Sequence, residues 1–406
     1  MPIPQSTVLD NGTVVLVVEN NAVDLVSAKF FIKYGTQMET PEQAGLVHLV
    51  SSLLTKGTSN FSAQEIAEQV ECMGASLSAE ANSDYLLISL KAIASDFPSL
   101  LKLSAEILRS PSFPQSEIAL ERHLTIQAIK SQQERPFAIG YDRLQSLLFG
   151  QHSYGLPILG FEHTVAQLSQ SDLQAYHQQY VQPQNLVVSI AGKISSDQAV
   201  QLVAEVLGDW QSVNPSLPSV DPPQVQTPSA ARISQNNQQA IVMLGYPAVA
   251  VNSGDYPAMK LISTYLGSGL SSRLFVELRE KRGLAYEVSA FYPTRQLASL
   301  LVAYMGTANS NVEIALEGLQ AECDRLAQQP LNAEELKLAK SKLLGQYALG
   351  KQTNSQLAQA YGWYECLGLG ADFDQEFVRQ VEVVSAESVQ AVAQACFQQP
   401  AIVVVG

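Results

Sequence analysis

"LSQSDLQAYHQQYVQPQNLVVSIAG" (Leu168–Gly192) has a counterpart further along the chain in "VSAESVQAVAQACFQQPAIVVVG" (Val384–Gly406). Leu168, Ser169, Leu173, Gln174 and Ala175 line up with Val384, Ser385, Val389, Gln390 and Ala391 at a constant offset of 216. In each stretch, helical spacing gives way to a continuous apolar run that stops at Gly, so each reads as a helix entering a buried strand. A second pair supports the first. "CMGASLSAEANSDYLLISLKAI" (72–93) and "KRGLAYEVSAFYPTRQLASLLVAYMG" (281–306) both read as Gly-led hairpins with period-2 alternation. A helix is predicted after each, near Phe97 in the first and near Asn311 in the second. Duplication of one unit accounts for both pairs. The predicted fold class is α+β, built from two homologous α/β half-units, each an antiparallel-rich mixed sheet packed against helices.

Between the halves lies "QSVNPSLPSVDPPQVQTPSA" (Gln211–Ala230), with five prolines and neither helical nor strand periodicity. Such a segment reads as an extended linker. It divides the chain into an expected N-terminal domain (1–210), a linker (211–230) and a C-terminal domain (231–406). Within the first half, "TVVLVVE" and "LVSAKFFIKYG" read as strands, and Ser62 with Glu65 forms a capping box. A long helix is expected from about Ser116 to Glu134, halted by Pro136.

Composition excludes several classes. Of 406 residues, 46% are hydrophobic and 7% aromatic, which suits sizeable cores and argues against large-scale disorder. The formal charge of −14 opposes a phosphate-tracking role, so no nucleic-acid partner is expected. The four cysteines (Cys72, Cys323, Cys366, Cys396) are far apart and form no C-x-x-C pair, so they read as buried thiols rather than a disulfide or thiolate-zinc framework. Neither a signal-peptide pattern nor a bilayer-length apolar run is present, and a cytoplasmic protein without a membrane partner is expected.

One stretch carries chemistry by what it lacks. In "GLVHLVSSLLTKGT" (Gly45–Thr58), His48, Ser51 and Ser52 fall at i, i+3 and i+4 of a helix and share one face. A catalytic zinc needs three ligands from His, Cys, Asp and Glu. One imidazole flanked by hydroxyls cannot hold it. Taken alone, His48 reads as a core histidine satisfied by a hydrogen bond. The stretch resembles the inverted zinc motif H-x-x-E-H of the pitrilysin-like inverzincin peptidases, with His48 at the first histidine. Ser51 stands where that family has its glutamate base, and Ser52 where it has its second histidine. The family's third ligand, a glutamate on a later helix, falls in "ERHLTIQAI" (Glu121–Ile129) at Ala128, 76 residues beyond Ser52.

The second half keeps more of the pattern. "LGSGLSSRLFVELREKRGLAYEVSAFY" (Leu266–Tyr292) resembles the family's Gly-rich turn, S-S-R-L-F helix and R-x-x-x-x-x-x-Y motif, which places Arg279 and Tyr286 in it. By resemblance the arginine holds substrate backbone and the tyrosine stabilises the developing oxyanion. A guanidinium and a phenol are both preorganised donors suited to that task. Arg273 and Arg282 read as structural or solvated neighbours. His152 and Tyr154 read as turn chemistry, and His123, His163 and His177 receive no role. Within the family the chain resembles the two-subunit branch typified by mitochondrial processing peptidase. That implies a non-catalytic subunit without a metal of its own, closing over a zinc-bearing homologous subunit or pairing as a homodimer, with a peptide as substrate. The alternative implied is a structural or peptide-binding homologue with no part in proteolysis. An autonomous zinc peptidase would need a ligand set that the sequence does not offer.

Overall fold

The sheets form where apolar and β-branched residues run together. The computed structural model describes residues 3–213, 220–227, 229–235 and 238–406. Of the proline-rich segment, residues 214–219 and 228 lie outside the described residues.

The first half contains β1 (Gln5–Val8), β2 (Val14–Glu19), β3 (Leu25–Ile32), α1 (Leu46–Leu54), α2 (Ala63–Cys72), β4 (Ser76–Ala81) and β5 (Leu86–Ile93). It continues through α3 (Phe97–Arg109), α4 (Gln115–Gln132), α5 (Pro136–Phe149), α6 (Glu162–Gln167), α7 (Gln170–Tyr180), β6 (Leu186–Gly192) and α8 (Ser196–Leu207). The second half holds β7 (Ala230–Ile233), β8 (Gln239–Ala248), α9 (Tyr256–Gly267), a π-helical segment (Phe275–Lys281), β9 (Glu287–Phe291) and β10 (Ser299–Ala308). It ends with α10 (Val312–Gln328), α11 (Ala333–Leu349), α12 (Asn354–Cys366), α13 (Phe373–Val383), α14 (Ala386–Cys396) and β11 (Ala401–Val405).

Among the described residues two sheets result, ordered β1-β2-β6-β3-β5-β4 and β7-β11-β8-β10-β9. Each has a single parallel pair, β2 with β6 and β11 with β7, and is otherwise antiparallel. With β1 set aside, the two orders coincide strand for strand. The mixed α/β architecture with two sheets packed on helices is therefore that of the predicted fold class, and the duplication extends to the topology.

The repeat holds in its details. α7 and α14 start and end at an offset of 216, and both are capped by the matched serines: Ser169 accepts from Asp172 N and Ser385 from Ser388 N. The expected capping box at Ser62 and Glu65 is present at the start of α2. Pro136 does not simply halt α4, which ends at Gln132. It is the first residue of α5, where a missing N–H costs no hydrogen bond.

The chain folds as two compact units that are not its two sequence halves. Unit 1 comprises residues 1–129, 157–220 and 350–374, and unit 2 comprises 130–156, 221–349 and 375–406. In unit 1, α12 packs against β2, β3 and β6, while in unit 2, α5 packs against β8 and β11. The helix after the α4-type helix thus serves the other sheet in each case. Gly362 of α12 sits so close to β3 that a Cβ there would lie 2.3 Å from Phe31 Cε2. Asn354 fixes the start of the same helix by donating to Leu25 O at 3.0 Å and accepting from Asn20 Nδ2 at 2.7 Å. On its other face the first sheet meets a core that includes Val15, Val17, Phe30, Ile88, Val188 and Ile190.

Candidate functional site

α1 begins without a side chain of its own at the cap. Gly45 takes a left-handed φ of 95°, and Leu159 O would lie 2.7 Å from any Cβ there, so only glycine fits. The capping acceptor comes from Glu39, whose carboxylate receives Val47 N at 2.7 Å and Gly45 N at 3.2 Å. Glu39 is buried, and burial pushes its pKa up to about 8 against the pull of those two amides.

Seven of the nine α1 residues are buried. The other two, His48 and Ser52, lie one turn apart and are half-buried. Ser51 is buried, and its hydroxyl donates to His48 O at 2.8 Å. Its hydrogen is therefore spent on the helix's own backbone. Burial lowers the His48 pKa and favours the neutral imidazole. Among the described residues neither His48 ring nitrogen has a hydrogen-bond partner, so the residue is not the hydrogen-bonded core histidine that the sequence suggested.

α4 reaches the turn that follows α1 through an ion pair, Lys56 Nζ to Glu121 Oε1 at 3.4 Å. Ala128 lies two turns beyond Glu121 on the same helix face, and it is exposed. The four positions therefore supply one imidazole, a hydroxyl committed to a backbone carbonyl, a second hydroxyl and a methyl group. Such a donor set does not fit zinc. Among the described residues no group of three or more His, Cys, Asp or Glu side chains is placed to hold a metal ion.

In unit 2 the Gly-rich turn after α9 leads into the π-helical segment. π-turns are rare and concentrate at functional sites. Here Glu277 is taken by Arg273 at 2.9 Å and by Lys281 at 2.8 Å, and Arg273 also binds Glu322 at 2.7 Å. Arg279 is exposed and lies over the Phe275 ring at 5.0 Å, with no carboxylate partner among the described residues. Its own carbonyl accepts Gly283 N at 3.1 Å, and Leu284 N returns to Leu278 O at 2.9 Å, which turns the chain toward β9. Tyr286, just before β9, is held by its backbone N–H to Gly306 O at 2.9 Å while its side chain stays 58% exposed. Among the described residues, then, neither this exposed cation nor this exposed phenol has an ion-pair or hydrogen-bond partner for its side chain.

The remaining histidines have local duties. His152 Nδ1 caps a turn by accepting Tyr154 N at 3.1 Å, and its Nε2 contacts Asp221 O at 3.0 Å. His177 contacts Leu108 O at 2.7 Å, His163 stacks on Phe161, and His123 meets Gln127. Glu39 was not legible in the sequence, because a glutamate eight residues before the amide that donates to it matches no capping pattern.

Residues 14–162 match the insulinase (peptidase family M16) domain, and residues 167–343 match the peptidase M16 inactive domain. An uncharacterized zinc protease of Bacillus subtilis is 28% identical over 96% of this chain and 94% of its own length. One from Streptomyces coelicolor is 28% identical over 92% of this chain and 83% of its own. Among solved structures, a peptidase M16 inactive domain from Pseudomonas fluorescens superposes with a TM-score of 0.92 at 23% identity, over 99% of this chain and 97% of that one. A protease from Helicobacter pylori gives 0.92 at 21% identity, over 100% and 99%. These two likenesses establish the fold. No helix among the described residues is long and apolar enough to cross a membrane.

Proposed function

The chain belongs to peptidase family M16, and on that premise we propose that it is the non-catalytic, substrate-binding subunit of a two-chain zinc peptidase. The observation that carries this reading is the asymmetry between its two motifs. The metal positions hold His48, Ser51, Ser52 and Ala128, which cannot hold a zinc ion, whereas Arg279 and Tyr286 are exposed and their side chains have no ion-pair or hydrogen-bond partner among the described residues. Relatives named as zinc proteases supply the matching class of reaction.

In this function zinc resides in a homologous partner, which provides the attacking water and its general base. This chain provides donors. Attack on a peptide carbonyl moves negative charge onto its oxygen, and a guanidinium or phenol already aimed at that point stabilises the charge without reorganising. Arg279, placed over the Phe275 ring, suits the substrate's backbone carbonyl, and the Tyr286 hydroxyl suits the developing oxyanion.

The test is reconstitution with a zinc-bearing homologue and a peptide assay. Arg279→Ala or Tyr286→Phe should lower kcat on the order of a hundredfold, as removal of one such donor does elsewhere. Full activity in both variants would leave only a structural or peptide-binding role. Cleavage by the single chain that a chelator abolishes would overturn the reading altogether.

A further inference from the structure

The turn between α9 and the π-helical segment is closed by a side chain from far along the sequence. Its two ends are Ser268 and Ser271, and Gly269 takes a left-handed φ of +70°. Lys342 of α11 donates through Nζ to Ser268 O and, at 3.1 Å, to Ser271 Oγ, so one ammonium spans the turn. Gln346, one helical turn on, donates to Ser268 Oγ at 2.8 Å. From the opposite side, Ser289 Oγ on β9 donates to Gly267 O at 2.8 Å, and a Cβ on Gly267 would lie 2.0 Å from Ala290 N.

The turn is thus pinned between the strand that Tyr286 leads into and α11, a helix far along the sequence. No carboxylate pairs with Lys342 among the described residues, and partial burial lowers its pKa, so its hydrogen bonds to the turn are the compensation for its desolvation. The turn runs directly into the Arg279 segment through Ser272 N to Gly269 O and Val276 N to Ser272 O, both 3.0 Å. Its tip, Leu270, is 74% exposed.

We propose that Lys342 and Gln346 are positioning residues that latch the 268–271 turn, setting the surface that meets the peptide beside Arg279. This rests on the peptide-binding function proposed above. Because the latch orders a binding surface rather than the reacting atoms, its loss should act on KM.

Two measurements separate the parts. In the isolated chain, hydrogen exchange across residues 266–272 should quicken in Lys342→Met and in Gln346→Leu. It should stay near the wild-type rate in Lys342→Arg, which keeps a cationic donor. Lys340→Met is the control, since Lys340 lies on the same helix and donates to Glu382 O instead. In the reconstituted complex, Lys342→Met should raise KM about tenfold with kcat nearly unchanged, the loss expected for charged hydrogen bonds, and Lys342→Arg should restore much of it. Unchanged exchange in Lys342→Met would overturn the latch. Faster exchange with unaltered KM would overturn its part in peptide binding while leaving the Arg279 and Tyr286 function standing. An unaltered complex that neither cleaves nor binds peptide would remove that function and the turn's role in it, and the exchange comparison would still decide the latch.

Discussion

At residue scale, Glu39 is a buried acid whose proton belongs to the folded state. Its native pKa of about 8 lies above the ordinary 4.5, so the folded chain binds this proton more tightly than the unfolded chain. Stability from that difference is complete below about pH 4.5 and is lost as pH rises toward about 8, on the order of a few kcal/mol. Melting temperature should therefore fall across this window in the wild type and fall less in Glu39→Gln, which keeps an acceptor for the α1 amides. Equal slopes in the two proteins would refute the assignment. The missing metal site yields a second residue-scale test. If ligand loss alone explains it, Ser51→Glu, Ser52→His and Ala128→Glu together should give one zinc per chain by elemental analysis, and His48→Ala in that background should remove it. The shared face of His48, Ser51 and Ser52 was legible in the sequence because their spacing is local to one helix, whereas Ala128 came only from the resemblance. Glu39 and Lys342 were not legible, because each acts on backbone groups that only the folded chain brings near.

At element scale, the duplication was readable because it is written in local chemistry. Matched serine caps, Gly-ended apolar runs and alternating hairpins are properties of short stretches, and they recur as α7 with α14 and as β4–β5 with β9–β10. The destination of a helix is not a local property. Periodicity tells that α5 and α12 each have an apolar side but not which sheet that side meets, so residues 130–156 and 350–374 could not be assigned to units 2 and 1 beforehand. Nor does sequence announce that the segment after Leu274 winds as a π-helix. Gly362 marks the consequence for packing. A Cβ there would overlap Phe31, which is fully buried, and crowd Ser189 Cβ at 2.9 Å, so a methyl group must push apart a close-packed helix and sheet. Gly362→Ala should destabilise by roughly 1–3 kcal/mol despite the better helix propensity of alanine, as overpacking does. A denaturant midpoint at or above that of the wild type would show that α12 does not approach β3 this closely.

At the scale of the molecule, the partition of the chain decides what can fold alone. Unit 1 needs residues 350–374, whose ends are joined by the buried ion pair of Lys351 with Asp374, and Tyr364 OH adds a hydrogen bond to the same carboxylate at 3.2 Å. The excursion is thus closed at its base inside the unit it serves. Breaking the clasp on one side leaves a buried carboxylate with hydroxyl donors but without its countercharge, so Lys351→Met should cost about 3–5 kcal/mol, and adding Asp374→Leu should recover much of the loss. A fragment of residues 1–213 lacks the clasp and α12 together. Leu16, Phe31 and Val187, all fully buried in the intact chain, lie on the three strands that α12 packs against. Exposing side chains of this size forfeits roughly 1.5–3 kcal/mol each, a large share of the 5–15 kcal/mol that holds a typical domain together. The fragment should therefore bind hydrophobic dye, lack near-ultraviolet dichroism and unfold without a sharp transition. Supplying residues 350–374 as a separate peptide should restore cooperative unfolding, because the peptide carries both ends of the clasp and the covering helix. A sharp, reversible transition from residues 1–213 alone would mean that the sequence half, not the exchanged unit, is what folds.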